Sequence, residues 1–217
     1  KKMGVPVGKF ICASNRNAVL SDFISTGTYD RNREFFTTSS PSMDILISSN
    51  LERMLYLLAD EDANFVAGKM AELKTAGRYT VPEAMHAQLQ KIFFGGSCDD
   101  DATKRMIGKL FAETHYLADP HTAVAAGVCE LYRQKTGDAS PCVVVSTASP
   151  YKFAGAVLPA LGVGDIPSDG FAMLEKLSET TGTKIPAPLA ALRGSPILHK
   201  TSVAPAQMAQ FVRDVLL

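Results

Sequence analysis

One arrangement constrains this chain more than any other: a short apolar run, then a polar loop, then a helix-periodic segment, occurring twice. KFICA (Lys9 to Ala13) leads through Ser14-Asn15-Arg16-Asn17 into NAVLSDFIS, and CVVVS (Cys142 to Ser146) leads through Thr147 to Pro150 into Tyr151 to Leu161. Such runs are too short for a core helix and too apolar for a surface one, so both are expected to be buried strands. Strands followed by helices pair in parallel, which gives an α/β fold with a mainly parallel sheet.

The chain between the two runs reads as mainly helical. Ser49 and Glu52 have capping-box spacing ahead of Leu51, Met54, Leu55 and Leu58, and the helical pattern resumes from Phe65 to Gly77 and from Val81 to Ile92. Asp99-Asp100-Asp101 precedes a further apolar face (Met106, Ile107, Leu110, Phe111), where acidic side chains suit a helix N-terminus better than a metal site. Asp119 and Pro120 occupy the N-cap and first-turn positions of a helix that Gly137 closes. The last third holds a helix from Phe171 to Thr181, a Pro-rich connection, an extended piece at Ile197 to His199, and a final helix with Met208, Phe211, Val212 and Val215. Lys1-Lys2-Met3 reads as the tail of a helix stopping at Gly4 and Pro6, so the chain is expected to begin inside an element. The natural division is an α/β domain over residues 1–160 and a helical extension over 161–217.

Composition removes several classes of function. With 46% hydrophobic residues a packed core is expected, and 22 basic against 22 acidic residues leave no footprint for nucleic acid. No apolar stretch reaches the ~18 residues of a membrane span. Cys12, Cys98, Cys129 and Cys142 are scattered without a C-x-x-C pair, which fits reduced thiols in a cytoplasmic protein and offers no metal site. The four histidines also lack metal-ligand spacing.

In parallel α/β sheets, ligands bind at the carboxyl ends of strands, which directs attention to STASPYKF (Ser146 to Phe153) and ASNRN (Ala13 to Asn17). The hydroxyls of Ser146, Thr147 and Ser149 could serve a ligand or cap the following helix, and Asn15 and Asn17 suit a polar crevice or an Asx-turn. His121 is a candidate proton carrier, though a histidine in a first helical turn is more often structural. Phosphate-loop, nucleophile-elbow and dinucleotide motifs are absent from the sequence.

Five blocks in order, GKFICASNRNAVLSDF (from Gly8), TGTYDRN (from Thr26), SPSMDILISSNLER (from Ser40), DPHTAVA (from Asp119) and VVSTASPYKF (from Val144), resemble threonine synthases. The resemblance covers residues 1 to about 160 and is looser beyond. It implies a pyridoxal-phosphate enzyme of tryptophan-synthase-β-like fold (fold type II): a three-layer α/β/α architecture with a mainly parallel sheet, truncated here at the N-terminus. It also implies conversion of O-phospho-L-homoserine and water to L-threonine and phosphate. The family's Schiff-base lysine and phosphate-binding loop lie upstream of the matched region, so the missing N-terminal half is an expected partner and Lys152 does not take the lysine's role. Thr147 matches the family's hydroxyl residue facing the pyridine nitrogen of the cofactor. The Ser42-Met43-Asp44 block resembles a family signature but is more readily a turn than a catalytic group. Two alternatives remain: a related phospho-lyase that releases no threonine, or a non-catalytic domain completed by a partner half.

Overall fold

In chain order the elements are β1 (Phe10–Ser14), α1 (Val19–Thr26), β2 (Thr28–Asp30), α2 (Asn50–Leu58), α3 (Ala63–Ala76), β3 (Arg78–Thr80), α4 (Glu83–Ile92), β4 (Phe93–Ser97), α5 (Asp100–Thr114), α6 (Pro120–Thr136), α7 (Ala154–Ala160), α8 (Gly170–Thr181), α9 (Ala187–Ala190) and α10 (Met208–Leu216). The structure is a computed structural model and describes residues 1–216. It divides into two units, Lys1–Thr183 and Lys184–Leu217.

β1 and β4 pair in parallel, from Phe10 opposite Phe93 to Ser14 opposite Ser97, so the fold is α/β with a small parallel sheet. Side chains alternate along both strands and meet a helix on each face. Cys12 and Phe93 pack against the core around Val19, Phe23, Ile24 and Leu89, whereas Ile11, Ala13 and Phe94 pack against Val124 and Val128 of α6. A second, antiparallel pair joins β2 to β3 with Tyr29 opposite Tyr79.

β4 was not legible as a strand, because FFGGS carries two glycines and glycine ordinarily marks a loop. Their reason is packing. A Cβ on Gly95 would lie 2.8 Å from the Ser21 carbonyl oxygen, and one on Gly96 would lie 2.6 Å from Val128 Cγ1, so α1 and α6 approach the sheet at a distance only glycine permits. Gly95→Ala should therefore cost about 1–3 kcal/mol through overpacking against backbone, read as a lower denaturant midpoint at unchanged m-value.

Most helix signals hold. Asp99 accepts from the Ala102 N–H and opens α5, Asp119 accepts from the His121 N–H ahead of Pro120, and α6 closes at Gly137. The capping box does not form: Ser49 has helical backbone angles and makes no side-chain cap, so α2 is held by its buried face at Leu55. The largest departure is Cys142–Ser146, expected as a buried parallel strand, which is extended chain outside either sheet. Val143 is 89% and Val145 69% exposed. β-Branched residues favour an extended backbone on their own, but a strand also needs a neighbouring edge of free N–H and C=O groups, and none pairs with this segment among the described residues.

The segment after it behaves as anticipated, with a 3₁₀ turn at Pro150–Phe153 leading into α7, and α8 ending at Gly182. In the second unit α10 forms where periodicity placed it, with Met208, Phe211, Val212 and Val215 exposed, while Ile197 to His199 is exposed irregular chain.

Candidate functional site

A pocket of ≈ 380 Å³ opens between β1, the turn at Ser42–Met43, the start of α6 and the Cys142–Thr147 segment. Ile11, Ala13, Met43, Ala125 and Val143 to Val145 give it an apolar lining, with Ser42, His121 and Thr147 among the polar groups. That size and composition, mostly apolar with a few convergent polar atoms, are those of a small-molecule site.

Thr147 stands in this wall, and among the described residues its hydroxyl has no hydrogen-bond partner. Its neighbours are otherwise employed. Ser146 Oγ takes the Tyr116 hydroxyl at 3.0 Å and lies 3.2 Å from Thr122 Oγ1. Ser149 accepts from the Tyr151 N–H at 3.3 Å and so caps the 3₁₀ turn. Of the three hydroxyls weighed in this loop, one caps, one is tied to the body of the domain and one is available. Lys152 is exposed and does not line the pocket.

The ASNRN block is tied largely into its own hydrogen-bonded network. Asn15 and Asn17 are 2% and 3% exposed, and only Ala13 of the block reaches the pocket. Asn15 Nδ2 donates to Asp44 Oδ1 at 2.7 Å and to Thr38 Oγ1 at 2.9 Å, while Asn17 Nδ2 donates to the Phe36 carbonyl at 2.8 Å. Asp44 also accepts from the Thr38 N–H at 2.9 Å and the Thr38 hydroxyl at 2.7 Å. These groups satisfy one another, and the result is a rigid polar hub that delivers Ser42 and Met43 to the pocket. Arg16 alone is exposed, its guanidinium 3.9 Å from the centroid of the Phe36 ring.

The first turn of α6 joins the Asp119 cap to the histidine weighed as a proton carrier. Asp119 is 1% exposed and His121 7%. The imidazole donates from Nδ1 to Asp119 Oδ1 at 2.8 Å, and its Nε2 accepts the Ser42 N–H at 3.2 Å. A backbone N–H can only donate, so Nε2 is unprotonated and the ring is the neutral Nδ1–H tautomer. The edge of the ring also meets Phe153, with centroids 4.8 Å apart. Thr122 donates its hydroxyl to Asp119 Oδ2. His121 therefore holds structure at the pocket rim and has no free nitrogen for carrying protons. Elsewhere in the pocket lining, burial and the neighbouring Cys142 thiol push the Cys129 thiol up to about 11, so it is protonated and unreactive at neutral pH.

Residues 122–194 match the family model described as threonine synthase, C-terminal. Human threonine synthase-like 1 is 41% identical over 167 residues, 76% of this chain and 22% of that protein. Threonine synthase of Saccharomyces cerevisiae is 38% identical over 175 residues, 74% of this chain and 34% of the enzyme. The crystal structure of a PLP-bound threonine synthase from Brucella melitensis superposes with a TM-score of 0.70 at 36% identity, over 81% of this chain and 37% of that one.

The chain belongs to the threonine synthase family.

It spans between about a fifth and a third of the length of the curated relatives it matches. The yeast enzyme's crystal structure superposes equally well, with a TM-score of 0.71 over 82% of this chain and 38% of the enzyme. The threonine synthase C-terminal match begins at Thr122, inside the first turn of α6, and contains Thr147. Two of the pocket's walls, β1 and the Ser42 turn, lie upstream of it. Among the described residues no helix is long and apolar enough to cross a membrane.

Proposed function

We propose that this chain supplies one part of a pyridoxal-phosphate-dependent threonine synthase, converting O-phospho-L-homoserine and water to L-threonine and phosphate. The observation that carries this reading is the unpartnered Thr147 hydroxyl on the wall of a largely apolar pocket of ≈ 380 Å³, in a chain whose solved relatives include a PLP-bound threonine synthase.

The residues present fit the cofactor. Thr147 would hold its ring nitrogen, because a hydroxyl can donate to that nitrogen without the full positive charge a carboxylate would stabilise there. Ile11, Ala13, Met43 and Val144 offer apolar surface to the ring, and Ser42 offers a hydroxyl. When bound, the cofactor supplies an electron sink for loss of protons from substrate carbon. The chain's own contribution is to hold the ring, exclude water from its faces, and keep Ser42 and Thr147 in place in the pocket lining. No lysine lines the pocket among the described residues, so the base that moves the substrate protons is assigned to a lysine outside this chain, in an N-terminal portion that completes the enzyme. That portion would also complete a tryptophan-synthase-β-like, three-layer sheet by giving Val143 to Val145 the strand edge they lack. All four cysteines are free thiols, which suits the cytoplasmic location we assign.

The test is product analysis with the protein as encoded, pyridoxal phosphate and O-phosphohomoserine. Threonine and phosphate in equal amounts support the reading. Phosphate with 2-oxobutyrate and no threonine would make it a phospho-lyase instead.

A further inference from the structure

We propose that Asp119 is a positioning residue that holds two walls of the pocket in register, the Ser42–Met43 turn through the His121 imidazole and the Ser146–Thr147 loop through the Thr122 hydroxyl.

An N-cap needs one carboxylate oxygen facing one or two backbone N–H groups, and it can do this at the surface. Asp119 does more and is 1% exposed. Its Oδ1 takes the His121 N–H at 2.9 Å and the His121 Nδ1–H at 2.8 Å, and its Oδ2 takes the Thr122 hydroxyl. Each side-chain partner then passes the constraint to a different wall. With the imidazole proton committed to Asp119, Nε2 is left as the acceptor that the Ser42 N–H requires, 79 residues away in sequence. The Thr122 hydroxyl sits between Asp119 Oδ2 and Ser146 Oγ, 3.2 Å from the latter, and Ser146 Oγ also takes the Tyr116 hydroxyl. In the His121 arm both protons point one way, from Ser42 to the imidazole and from the imidazole to Asp119, so reversing it would require Asp119 to donate. The Cys142–Ser146 segment has no ladder partner in either sheet, which makes the Ser146 tether the polar contact nearest Thr147.

The assignment of the ligand rests on the function proposed above, whereas the clamp itself does not. Asp119→Ala removes a buried cap and could simply unfold the chain, so the test uses its two arms. In the cofactor-free protein as encoded, His121→Leu should speed amide exchange at Ser42 about tenfold, while His121→Gln, whose carbonyl can still accept, stays within about twofold of wild type. Thr122→Val should speed elastase cleavage at Val143 to Val145 about fivefold, and Thr122→Ser should restore the wild-type rate. Added pyridoxal phosphate should bind about tenfold more weakly to His121→Leu and Thr122→Val than to the conservative pair. Unchanged exchange and cleavage in both apolar variants would overturn the clamp. If exchange and cleavage respond but cofactor affinity does not, the clamp stands and the reading of the pocket as a pyridoxal-phosphate site fails.

Discussion

Thr147→Ala in the protein loaded with pyridoxal phosphate should leave the cofactor bound but lower turnover by one to a few orders of magnitude, the equivalent of roughly 2–4 kcal/mol of transition-state stabilisation. The physical reason is the difference between holding and tuning. On the proposed function, cofactor affinity is spread over the apolar walls of the pocket, so one hydroxyl contributes little to it. Electron withdrawal by the ring depends directly on what its nitrogen meets, and among the described residues Thr147 has the one hydroxyl in the 146–149 loop that no other residue engages. Thr147→Ser should keep most of the activity, since the hydroxyl survives. The measurement is kcat alongside the cofactor's absorption spectrum: a lower kcat with a shifted band supports the assignment, and wild-type values for both remove Thr147 from the site. Structural damage would instead show as a lower melting temperature, which is not expected from an exposed side chain.

What the sequence made legible was local. Caps at Asp99 and Asp119, the stop at Gly137, and the helix from Phe171 to Gly182 all depend on neighbours within a turn or two, and each stands as read. The failures were of the opposite kind. β4 was missed because its glycines exist for contacts with Ser21 and Val128, residues remote in sequence. CVVVS carries strand character without a strand, because pairing is a property of two segments and no described residue pairs with this one. The site divided along the same line. Thr147 came from resemblance, not from pattern, and the pattern could not separate it from Ser146 and Ser149. The Asp119–His121 pair was read as a cap with an unassigned histidine, since its meaning lies in Ser42, which no spacing rule connects to it. Asn15 and Asn17 suited a crevice or a turn by pattern alone, and what the pattern could not show is that Asp44 engages both.

Phe23→Ala should be the most destabilising single substitution of the set, by about 3–5 kcal/mol, because it opens a large cavity in a fully buried aromatic cluster. Phe23 is 0% exposed, and its ring meets Tyr29 and Tyr79 edge-on with centroids 5.9 Å from each, while those two tyrosines stack 5.4 Å apart. The three rings come from α1, β2 and β3, so they fasten the antiparallel pair to the helix that covers the parallel sheet. In a chain of this size the loss corresponds to a fall in melting temperature on the order of 10 °C. The same cluster reaches toward the pocket through one atom. The Tyr29 hydroxyl donates to the Leu46 carbonyl at 2.9 Å and accepts the Ser48 N–H at 2.9 Å, fixing the chain just beyond the Asp44 hub. Tyr29→Phe keeps the rings packed and removes only those two bonds, so it should cost about 1–2 kcal/mol. Comparing the two variants separates packing from tethering: a larger loss in Phe23→Ala is the cavity's, and a weaker grip on cofactor in Tyr29→Phe at near-normal stability would show that the hub transmits to Ser42 and Met43. If Tyr29→Phe destabilised as much as Phe23→Ala, the hydroxyl bonds and not the ring packing would be what holds β2 to α1.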